Sequence, residues 1–431
     1  MNLHPSEMKS WPHIVVIGGG FGGIELIKHL RKAAFRITLI DKNNYHTFQP
    51  LLYQVASGGL GADAIGYPFR LIFRGQKNFR FLHTEVKQIV ADRKLIETEV
   101  GPLQYDHLVL ATGSTTNYFG NKEIERLSMP MKSIPEALNL RSDLLEECEA
   151  AARNPNTVEQ KKHLRFVVVG GGPTGVETAG SLAEFRNTVM KHDYPELDPN
   201  LMEVYLVEAS ANLLNGMRVQ SGEKAKQYLE KMGVIVKTGV SVSSYKNEVV
   251  SLSDNSELAS NTLIWAAGVK GKLIAGLPES CTLGSRFQVD EYHKIMGVDH
   301  VYAIGDSAGM ITVDHPKGHP MVAPVAVQQG NNLATNFING LNGQPLQKFR
   351  YNDKGSMATI GRNKAVVDLP SFSFGGFAAW LVWMFLHLML LVGFRNRVVV
   401  FIDWMWSYLT YERALRLIVR KYNITPEANE S

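Results

Sequence analysis

The stretch VVVGGGPTGVETAG (residues 167–180) decides the fold, and a near copy of it, VVIGGGFGGIELI, lies at residues 15–27. Each copy joins a short β-branched segment, which predicts a buried parallel strand, to a helical segment. The G-x-G-x-x-G glycines are Gly18, Gly20 and Gly23 in the first copy and Gly170, Gly172 and Gly175 in the second. The first glycine allows a tight turn, the second lets the backbone approach a pyrophosphate, and the third permits close helix–strand packing. The chain is therefore predicted to contain two dinucleotide-binding units.

Each copy continues into a second predicted strand that ends in a carboxylate. Asp41 follows the segment 36–40, and Glu208 follows the segment 203–207. A carboxylate at this place can accept hydrogen bonds from ribose hydroxyls, while the helix N-terminus favours the phosphates. The residues after Glu208 are small rather than basic, which favours a 2′-hydroxyl and hence NADH over NADPH. Two different dinucleotides on one chain imply an electron path from one to the other.

Composition excludes several classes of protein. The chain has 431 residues, of which 45% are apolar and 20% charged, so two or three ordered domains are expected. Its formal charge is only +4, without a basic run, which argues against nucleic-acid binding. Cys148 and Cys281 lie far apart, so no disulfide framework is expected, and residues 1–13 lack the apolar stretch of a signal peptide. The pair His315 and His319 lies in the segment DHPKGHP, which predicts a solvated loop, and no metal site is assigned.

Three shorter segments help to decide which nucleotide each copy binds. DHLVLATG (residues 106–113), NTLIWAAG (residues 261–268) and DHVYAIGD (residues 299–306) are strands that end in small residues or in Gly-Asp. With the two glycine turns they resemble the two-dinucleotide-binding flavoprotein superfamily. This resemblance implies that the first copy binds FAD, that the second binds NADH, and that Asp306 returns to the FAD site. The expected fold is α/β, with two Rossmann-like domains, the second inserted in the first, and a C-terminal membrane-docking helical region.

The resemblance narrows along residues 12–420 to the type II, non-proton-pumping NADH:quinone oxidoreductases. NYHTFQPLLYQVA (residues 44–56), VAVQQG (residues 325–330) and GFRNR (residues 393–397) match that family in order. It implies that NADH gives a hydride to flavin, which passes two electrons to a membrane quinone. The domains implied are residues 1–125 with 270–345 for FAD, 126–269 for NADH, and 346–431 for docking and dimerisation.

The resemblance also assigns site residues. Those implied for FAD are Gly18, Gly20, Phe21, Gly22, Gly23, Asp41, Lys42, Val86, Ala111, Thr112, Gly113, Asp306, Ala326 and Val327. Those implied for NADH are Gly170, Gly172, Thr174, Gly175, Glu208, Ala267 and Gly268. Gln328 is the candidate for quinone, while Pro324 stands where the family has a glutamine. Glu177, two residues past the last glycine of its copy, is the candidate catalytic group near the flavin–nicotinamide junction, and the matching Glu25 is expected to be structural.

The cysteines bear on the competing functions. Flavin disulfide reductases and sulfide:quinone oxidoreductases relay electrons through cysteines beside the flavin, and residues 42–50 contain none. Two alternatives keep the same cofactors: a reductase with a soluble electron carrier as acceptor, and a non-enzymatic NADH-sensing flavoprotein. The apolar C-terminal run counts against the soluble acceptor.

The C-terminal part predicts contact with a membrane. Residues 374–394 are apolar except for His387, long enough to span a bilayer, but carry tryptophans in mid-run. Residues 398–421 follow, with Arg413, Arg416 and Arg420 on one predicted helical face, the pattern of an interfacial basic helix. Monotopic docking at the cytoplasmic face of the inner membrane is expected. A true span and a buried dimer interface are the alternatives, and a homodimer is compatible with docking.

Overall fold

The computed structural model describes residues 10–410 and 415–419. The first strands in chain order are β1 (His13–Ile17), β2 (Arg36–Asp41), β3 (Tyr45–Thr47), β4 (Gly66–Pro68), β5 (Phe79–His83), β6 (Val86–Val90), β7 (Leu95–Thr98), β8 (Gly101–Gln104), β9 (His107–Leu110), β10 (Ser114–Thr116), β11 (Met129–Pro130), β12 (Arg165–Val169) and β13 (Glu203–Glu208). The strands that follow are β14 (Val234–Thr238), β15 (Val242–Lys246), β16 (Val249–Leu252), β17 (Glu257–Ala259), β18 (Thr262–Trp265), β19 (Val269–Gly271), β20 (Thr282–Leu283), β21 (Arg286–Val289), β22 (Val301–Ala303), β23 (Ala308–Met310), β24 (Ser356–Gly361), β25 (Lys364–Asp368) and β26 (Ser373–Gly375).

The α-helices are spread over the whole described chain. In order they are α1 (Phe21–His29), α2 (Leu52–Ala56), α3 (Ala62–Ile65), α4 (Phe69–Ile72), α5 (Lys122–Leu127), α6 (Ile134–Arg153), α7 (Thr157–His163), α8 (Pro173–Phe185), α9 (Lys191–Asp193), α10 (Val219–Lys231), α11 (Ala323–Leu341), α12 (Phe377–Leu390) and α13 (Phe394–Thr410). A π-helical turn, Arg186–Met190, continues α8.

The chain divides into two units, and each is built from separate stretches of sequence. The first unit comprises Met1–Thr47, Gly66–Asn117 and Val269–Lys354. The second comprises Phe48–Ile65, Tyr118–Gly268 and Gly355–Ser431. The glycine turn of residues 18–23 lies in the first unit and that of residues 170–175 in the second. The C-terminal stretch and the short segment Phe48–Ile65 both belong to the second unit.

Each unit contains a five-stranded parallel sheet, and the two sheets have the same plan. The order is β22-β9-β1-β2-β5 in the first unit and β11-β18-β12-β13-β14 in the second. In both, the strand before the glycine turn is central, with the acid-bearing strand on one side and the strand that ends in small residues on the other. The edge strands differ in origin, since β22 comes late in the chain whereas β11 precedes the rest of its sheet. The α/β class with two Rossmann-like sheets is confirmed.

The backbone hydrogen bonds around the two turns repeat residue for residue. The Gly18 N–H donates to the Ile40 carbonyl at 2.8 Å, and the Gly170 N–H donates to the Val207 carbonyl at 2.8 Å. On the other side, the Ala111 N–H donates to Ile17 and the Ala266 N–H to Val169, both at 2.8 Å. These bonds set both turns at the carboxyl ends of their sheets, where open α/β sheets bind ligands.

In the first unit, helices α1 and α11 pack together unusually closely. A Cβ atom at Gly330 of α11 would lie 2.5 Å from the carbonyl oxygen of Gly22 in α1, and one at Gly22 would lie 3.0 Å from the Ala326 carbonyl oxygen. Glycine is therefore required at position 330, and a side chain at position 22 would be tightly packed. The helices cover a core that includes Leu26, Leu333 and Phe337. This packing holds the glycine turn before α1 against α11, a helix that comes much later in the chain.

In the second unit, α8 packs on a small antiparallel sheet formed by β24, β25 and β26. A Cβ atom at Gly180 would lie only 1.8 Å from the Ile360 carbonyl oxygen, so α8 contacts the backbone of β24 directly. Helix α12 packs against β25 of the same sheet. The C-terminal stretch thus contributes to the surroundings of the helix that follows the second glycine turn.

The C-terminal apolar run is divided rather than continuous. Helix α12 ends at Leu390, and α13 begins at Phe394. Among the described residues, no helix is both long enough and apolar enough to cross a membrane. The prediction of one helical segment over residues 398–421 is wrong in part: α13 is described over Phe394–Thr410, but residues 415–419 are not helical. Arg413 and Arg420 lie outside the described residues, so their predicted shared face is not described.

The contact between α1 and α11 leads to a test of stability. We expect Gly330→Ala to destabilise the protein by about 1–3 kcal/mol, because the added methyl group overpacks the contact with the Gly22 carbonyl. Gly340→Ala, in the same helix, meets no atom within 4 Å and is the matched control, which should be unchanged or slightly stabilised. Thermal unfolding followed by circular dichroism measures both. Equal Tm values for Gly330→Ala and the wild type would contradict the close packing.

Candidate functional site

The two glycine turns, called here the first cradle (residues 18–23) and the second cradle (residues 170–175), have the same geometry. Gly18 and Gly170 have φ angles of +103° and +111°, which side-chain-bearing residues rarely adopt. A Cβ atom at Gly23 would lie 2.2 Å from the Gly18 carbonyl oxygen, and one at Gly175 would lie 1.8 Å from the Gly170 carbonyl oxygen. The first and third glycines of each cradle are thus fixed by the fold itself.

The middle glycine of each cradle has a different surrounding. A Cβ atom at Gly20 or at Gly172 would meet no atom within 4 Å. Both residues are the N-caps of their helices, α1 and α8, and neither helix has a side-chain cap. The first-turn N–H groups and the positive end of the helix dipole therefore face open space, which suits a pyrophosphate. Both cradles fit the dinucleotides expected for them.

The carboxylates at the strand ends hold the cradles in the same way. Asp41 accepts hydrogen bonds from the Gly19 and Asn43 N–H groups, both at 2.8 Å. Glu208 accepts hydrogen bonds from the Gly171 N–H at 2.5 Å and the Ser210 N–H at 2.8 Å. Burial raises the pKa of Asp41, and the Gly19 and Asn43 N–H groups offset part of that rise. Each acid therefore ties the second strand to the turn after the first strand, as the sequence spacing requires.

The Gly-Asp loop lies in the first unit near the other residues expected for FAD. The Ser114 hydroxyl donates a hydrogen bond to the Asp306 carboxylate at 2.5 Å. The Gly305 N–H donates to the Gln329 side chain of α11 at 2.7 Å, and the Thr112 hydroxyl donates to the Lys272 carbonyl at 2.6 Å. Ser114, Gln329 and Lys272 were not singled out by sequence, because their roles here depend on contacts distant along the chain.

The remaining residues expected for FAD are also in the first unit. Lys42 is exposed, and its carbonyl is within hydrogen-bond distance of His83, at 2.8 Å. Val86 begins β6, Ala111 follows β9, and Phe21 contacts the buried His46 edge-on with ring centroids 5.0 Å apart. In α11, the Ala326 N–H already donates to the Val322 carbonyl at 3.3 Å, and the neighbouring Val327 is half-buried. Gly113 follows Thr112 in the same loop, with no atom within 4 Å of an added Cβ.

The remaining residues expected for NADH lie in the second unit. Thr174 is exposed in the first turn of α8, and its carbonyl accepts a hydrogen bond from the Thr178 hydroxyl at 2.7 Å. Ala267 and Gly268 follow β18 after one residue, Ala266. Ala267 is half-buried and Gly268 is exposed. They occupy the place in the second sheet that Thr112 and Gly113 occupy in the first.

Gln328, the candidate quinone ligand, has both ends of its amide paired with the backbone of Asn352. Its Nε2 donates to the Asn352 carbonyl and its Oε1 accepts from the Asn352 N–H, both at 2.9 Å. A quinone carbonyl at this position would have to compete with this two-bond pairing. The amide of Gln328 therefore serves to hold residue 352 against α11 in this structure.

Glu177 and Glu25 occupy matching places after the two cradles but have opposite surroundings. Glu25 is partly exposed and lies 3.9 Å from the Lys28 ammonium, a surface pair. Glu177 is only 8% exposed, and the Thr359 N–H lies within hydrogen-bond distance of its carboxyl, at 3.5 Å. Burial raises the pKa of Glu177 well above its ordinary value, and the Thr359 N–H offsets little of this rise. A buried carboxyl with so little compensation favours the neutral, proton-bearing form.

Glu177 lies on the wall of a cavity of about 270 Å³, called here the Glu177 cavity, which the second unit forms alone. Its wall is mainly aromatic and polar, and includes Tyr53, Gln54, Ser57, Glu177, Ser181, Glu184, Thr359, Arg362, Lys364, Trp380, Trp383, Trp404 and Tyr408. Trp404 donates its indole N–H to the side-chain oxygen Oε1 of Gln54 at 2.7 Å, and Nε2 of Gln54 in turn donates to the Tyr53 hydroxyl at 2.8 Å. An acid with a raised pKa in an aromatic cleft is a functional-site arrangement.

Sequence reasoning missed every residue of this cavity except Glu177. Gln54 and Tyr53 fall in the segment 44–56, which carried the family resemblance but no assigned role. The tryptophans were noted only for their place in the apolar run. The available signal was a set of polar residues on one face of α8, since Glu177, Ser181 and Glu184 follow the i, i+4, i+7 pattern of a helical face.

Two sequence interpretations outside the site are settled by burial. The prediction of a solvated loop over DHPKGHP is wrong for His319, whose side chain is 4% exposed and packs on Phe349 with ring centroids 5.2 Å apart. In the same segment Pro316 and Lys317 are exposed, as predicted. Burial lowers the pKa of His319 to about 4. Cys148 and Cys281 are free and buried, and burial raises the pKa of the Cys148 thiol to about 12. Neither thiol is suited to electron relay, since the reactive form is the exposed thiolate.

The fold and the cradles agree with the relatives of the chain. A family described as pyridine nucleotide-disulphide oxidoreductase matches residues 12–330, and the NDH2 C-terminal domain matches residues 354–411. The type II NADH:quinone oxidoreductase NdhA of Mycobacterium tuberculosis is 37% identical over 94% of this chain and 89% of its own length. A second enzyme of that organism with the same description, Ndh, is 34% identical over 93% of this chain and 89% of its own.

A solved structure shows the same fold. NDH2 from Plasmodium falciparum in complex with NADH superposes with a TM-score of 0.86, at 24% identity, over 95% of this chain and all of that chain. The duplicated cradles, the C-terminal domain match and the identity to two full-length relatives point to one conclusion. The chain belongs to the type II NADH:quinone oxidoreductases.

Proposed function

We propose that this chain oxidises NADH and reduces a quinone in the Glu177 cavity, without pumping protons. The main observation behind the proposal is the buried carboxyl of Glu177, which lies on the wall of an aromatic cavity. Burial raises its pKa and so favours the protonated form. Overall, NADH, one proton and a quinone give NAD⁺ and a quinol. The two electrons come from NADH, and both carbonyl oxygens of the quinone end as hydroxyls.

The first cradle fits FAD. The α1 N-terminus at Gly20 would hold the pyrophosphate, Asp41 would hold the adenosine ribose, and Asp306 would hold the ribityl–pyrophosphate region. Bound FAD would accept a hydride from NADH and return two electrons to the quinone. The protein supplies binding and orientation, as is general for cofactor enzymes.

The second cradle would hold NADH. The α8 N-terminus at Gly172 would hold the pyrophosphate, and the Glu208 carboxylate would accept hydrogen bonds from the ribose hydroxyls. A 2′-phosphate beside the Glu208 carboxylate would bring two negative charges together, with no basic residue directly following it in sequence. The preference for NADH over NADPH rests on this repulsion.

The Glu177 cavity suits a quinone head group. Trp380, Trp383 and Trp404 offer apolar aromatic walls against which a flat ring can stack. Trp383 buries its indole N–H without a hydrogen-bond partner among the described residues, and a quinone carbonyl would satisfy this donor. Glu177, as the proton-bearing acid, can donate to the quinone oxygen as electrons arrive. Because the acid form is the active one, quinone reduction should slow as the pH rises through the raised pKa of Glu177.

The two C-terminal helices expose a large apolar surface, called here the docking face. Its side chains on α12 and α13, each at least 38% exposed, are Phe377, Leu381, Val382, Phe385, Leu386, Met389, Leu390, Phe394, Val398, Phe401, Ile402, Met405, Trp406 and Leu409. Apolar patches of this extent mark interaction sites. A membrane-confined quinone makes the lipid surface the fitting partner, and Arg395 is exposed beside Phe394 for anionic headgroups. NADH is confined to the cell interior, so the docked face is the cytoplasmic one.

A homodimer is the second partner proposed, since a copy of the chain could cover part of the same docking face. A reductase with a soluble electron carrier would have no use for this face. The non-enzymatic alternative would leave the Glu177 cavity without a substrate. Steady NADH turnover with a short-chain quinone separates these alternatives.

The assignment of the two cradles is tested by removing each acid. We expect Glu208→Ala to raise the KM for NADH about tenfold or more, because a hydrogen bond to a charged group contributes about 1.5–3 kcal/mol. FAD content should stay unchanged in Glu208→Ala and should fall in Asp41→Ala. Flavin absorbance and steady-state kinetics with NADH and NADPH measure both effects, with Glu257→Ala, an exposed residue of β17, as control. Loss of FAD in Glu208→Ala with retention in Asp41→Ala would reverse the assignment.

The role of Glu177 is tested on the separate half-reactions. We expect Glu177→Gln to slow reoxidation by quinone about 100-fold, the contribution of a positioned general acid, and to leave flavin reduction by NADH little changed. The pH dependence of the quinone step should also be lost. Glu25→Gln, at the matching position of the first cradle, is the control. Stopped-flow absorbance resolves the two steps. Unchanged rates of both steps, with unchanged NADH affinity, in Glu177→Gln would contradict a catalytic role of Glu177.

The docking face is tested by placing charge on it. We expect the double variant Phe385→Glu/Leu409→Glu to bind vesicles of phosphatidylcholine and phosphatidylglycerol at least tenfold more weakly, since burying each side chain contributes about 1.5–3 kcal/mol. Val313→Glu, at an apolar side chain 98% exposed in the first unit, is the control. Vesicle co-sedimentation gives the partition, and analytical ultracentrifugation follows the oligomeric state. Retained vesicle binding with loss of a dimer would assign this face to the second copy instead.

A further inference from the structure

One turn of the second unit contains a residue that does not suit its backbone. The Asn121 N–H donates to the Tyr118 carbonyl at 2.9 Å, which closes a four-residue turn. The two central residues, Phe119 and Gly120, have φ angles of +52° and +82°. Positive φ at both central positions is typical of a type I′ turn, in which Asn-Gly is strongly preferred. Gly120 fits this backbone, whereas a bulky side chain such as that of Phe119 rarely adopts it.

The side chain of Phe119 obtains little burial in this conformation. Its ring is 70% exposed. The neighbouring Tyr118, by contrast, is half-buried and stacks on Trp265 with ring centroids 6.1 Å apart. On the other side, the Asn121 side chain caps the N-terminus of α5. The turn is thus anchored at both ends without the Phe119 ring, and strained residues that the fold does not need are concentrated at ligand sites.

Phe119 lies beside the second cradle. A Cβ atom at Gly268 would lie 3.2 Å from Cζ of Phe119. A Cβ atom at Gly170, the first glycine of the cradle, would lie 2.7 Å from the carbonyl carbon of Ala266 and 2.8 Å from Cα of Ala267. The segment 266–268 therefore connects the cradle on one side with the Phe119 ring on the other.

The two sides of the second cradle differ in chemistry. Glu208 ends β13, on one side of the central strand β12, and its carboxylate accepts the Gly171 N–H. Phe119 contacts the segment that follows β18, on the other side of β12. A dinucleotide with its adenosine ribose at Glu208 and its pyrophosphate at the α8 N-terminus extends its second half towards β18. In NADH this half is the nicotinamide riboside.

We propose that the Phe119 ring contacts the nicotinamide riboside of NADH and holds it beside Gly268. An aromatic ring packs well against another planar ring, and such pairs are more favourable than their buried area alone predicts. A ring fixed on a tight turn also has little conformational freedom to lose when the nucleotide binds. The contact explains why phenylalanine occupies a position where asparagine would suit the backbone better. The inference rests on the proposed assignment of the second cradle to NADH.

The contact is tested by equilibrium binding to the FAD-loaded, full-length enzyme. Phe119→Asn removes the ring and creates the Asn-Gly pair that the turn prefers, so its Tm should be unchanged or raised. We expect the Kd for NAD⁺ to increase about tenfold, because the aromatic contact is lost. The Kd for ADP, which lacks the nicotinamide riboside, should stay at the wild-type value. Isothermal titration calorimetry measures both affinities, and stopped-flow flavin reduction gives the matching Kd for NADH.

Two further variants separate a lost contact from a changed backbone. Phe119→Tyr keeps the ring and should bind NAD⁺ as the wild type does. Asn247→Gly is the matched control, because Asn247 is exposed and has a φ of +49° at the first central position of the turn between β15 and β16. Its affinities for NAD⁺ and ADP should both be unchanged.

Three results would contradict the contact or its basis. Wild-type affinity for NAD⁺ in Phe119→Asn would overturn the proposal. Equal weakening of NAD⁺ and ADP in that variant, or a lowered Tm, would also overturn it, because Phe119 would then support the cradle rather than the nicotinamide half. Unchanged binding of both ADP and NAD⁺ in Glu208→Ala would instead remove the assignment of the second cradle on which the inference rests.

Discussion

The structure depends on a carboxylate that ties one strand to the turn following another. Asp41 accepts the Gly19 N–H and Glu208 accepts the Gly171 N–H, each across neighbouring parallel strands. The bond requires a turn tight enough to bring its amides to the next strand end. Such a tight turn requires a glycine with positive φ at its first position. It also requires a glycine in the following helix, because a Cβ atom there would collide with the turn. The same arrangement leaves the helix N-terminus open, which is the property that binds phosphate.

The two cradles share this arrangement but differ in what lies over the following helix. In the first unit, α1 is covered by α11 through paired glycines, and Glu25 remains at the surface beside Lys28. In the second unit, α8 is covered by β24, and Glu177 is buried under it. An acid at the same place in the motif is a solvated surface group in one copy and a neutral-favouring acid in the other. The covering element decides the chemistry.

Burying Glu177 has a cost that a structural role would not explain. An uncompensated carboxyl in a protein interior is unfavourable, and the Thr359 N–H, at 3.5 Å from the Glu177 carboxyl, compensates little. The wall of the cavity beside it also includes the hydroxyls of Ser57 and Ser181 and a second acid, Glu184. Aromatic side chains of α12 and α13 line the same cavity, and these two helices also have the docking face. The two C-terminal helices therefore contribute both to the cavity wall and to the exposed apolar surface.

The sequence by itself determined the two Rossmann-like sheets, the position of both cradles and the acids Asp41 and Glu208. These features depend on local spacing, since a strand, a turn, a helix and the next strand are close along the chain. It also singled out Glu177, but position alone could not distinguish it from Glu25. Only the tertiary structure decided that difference, together with the burial of His319, the pairing of Gln328 with Asn352 and the non-helical conformation of residues 415–419. Each of these depends on which distant segment packs against the residue, and burial is a property of that contact rather than of the local sequence.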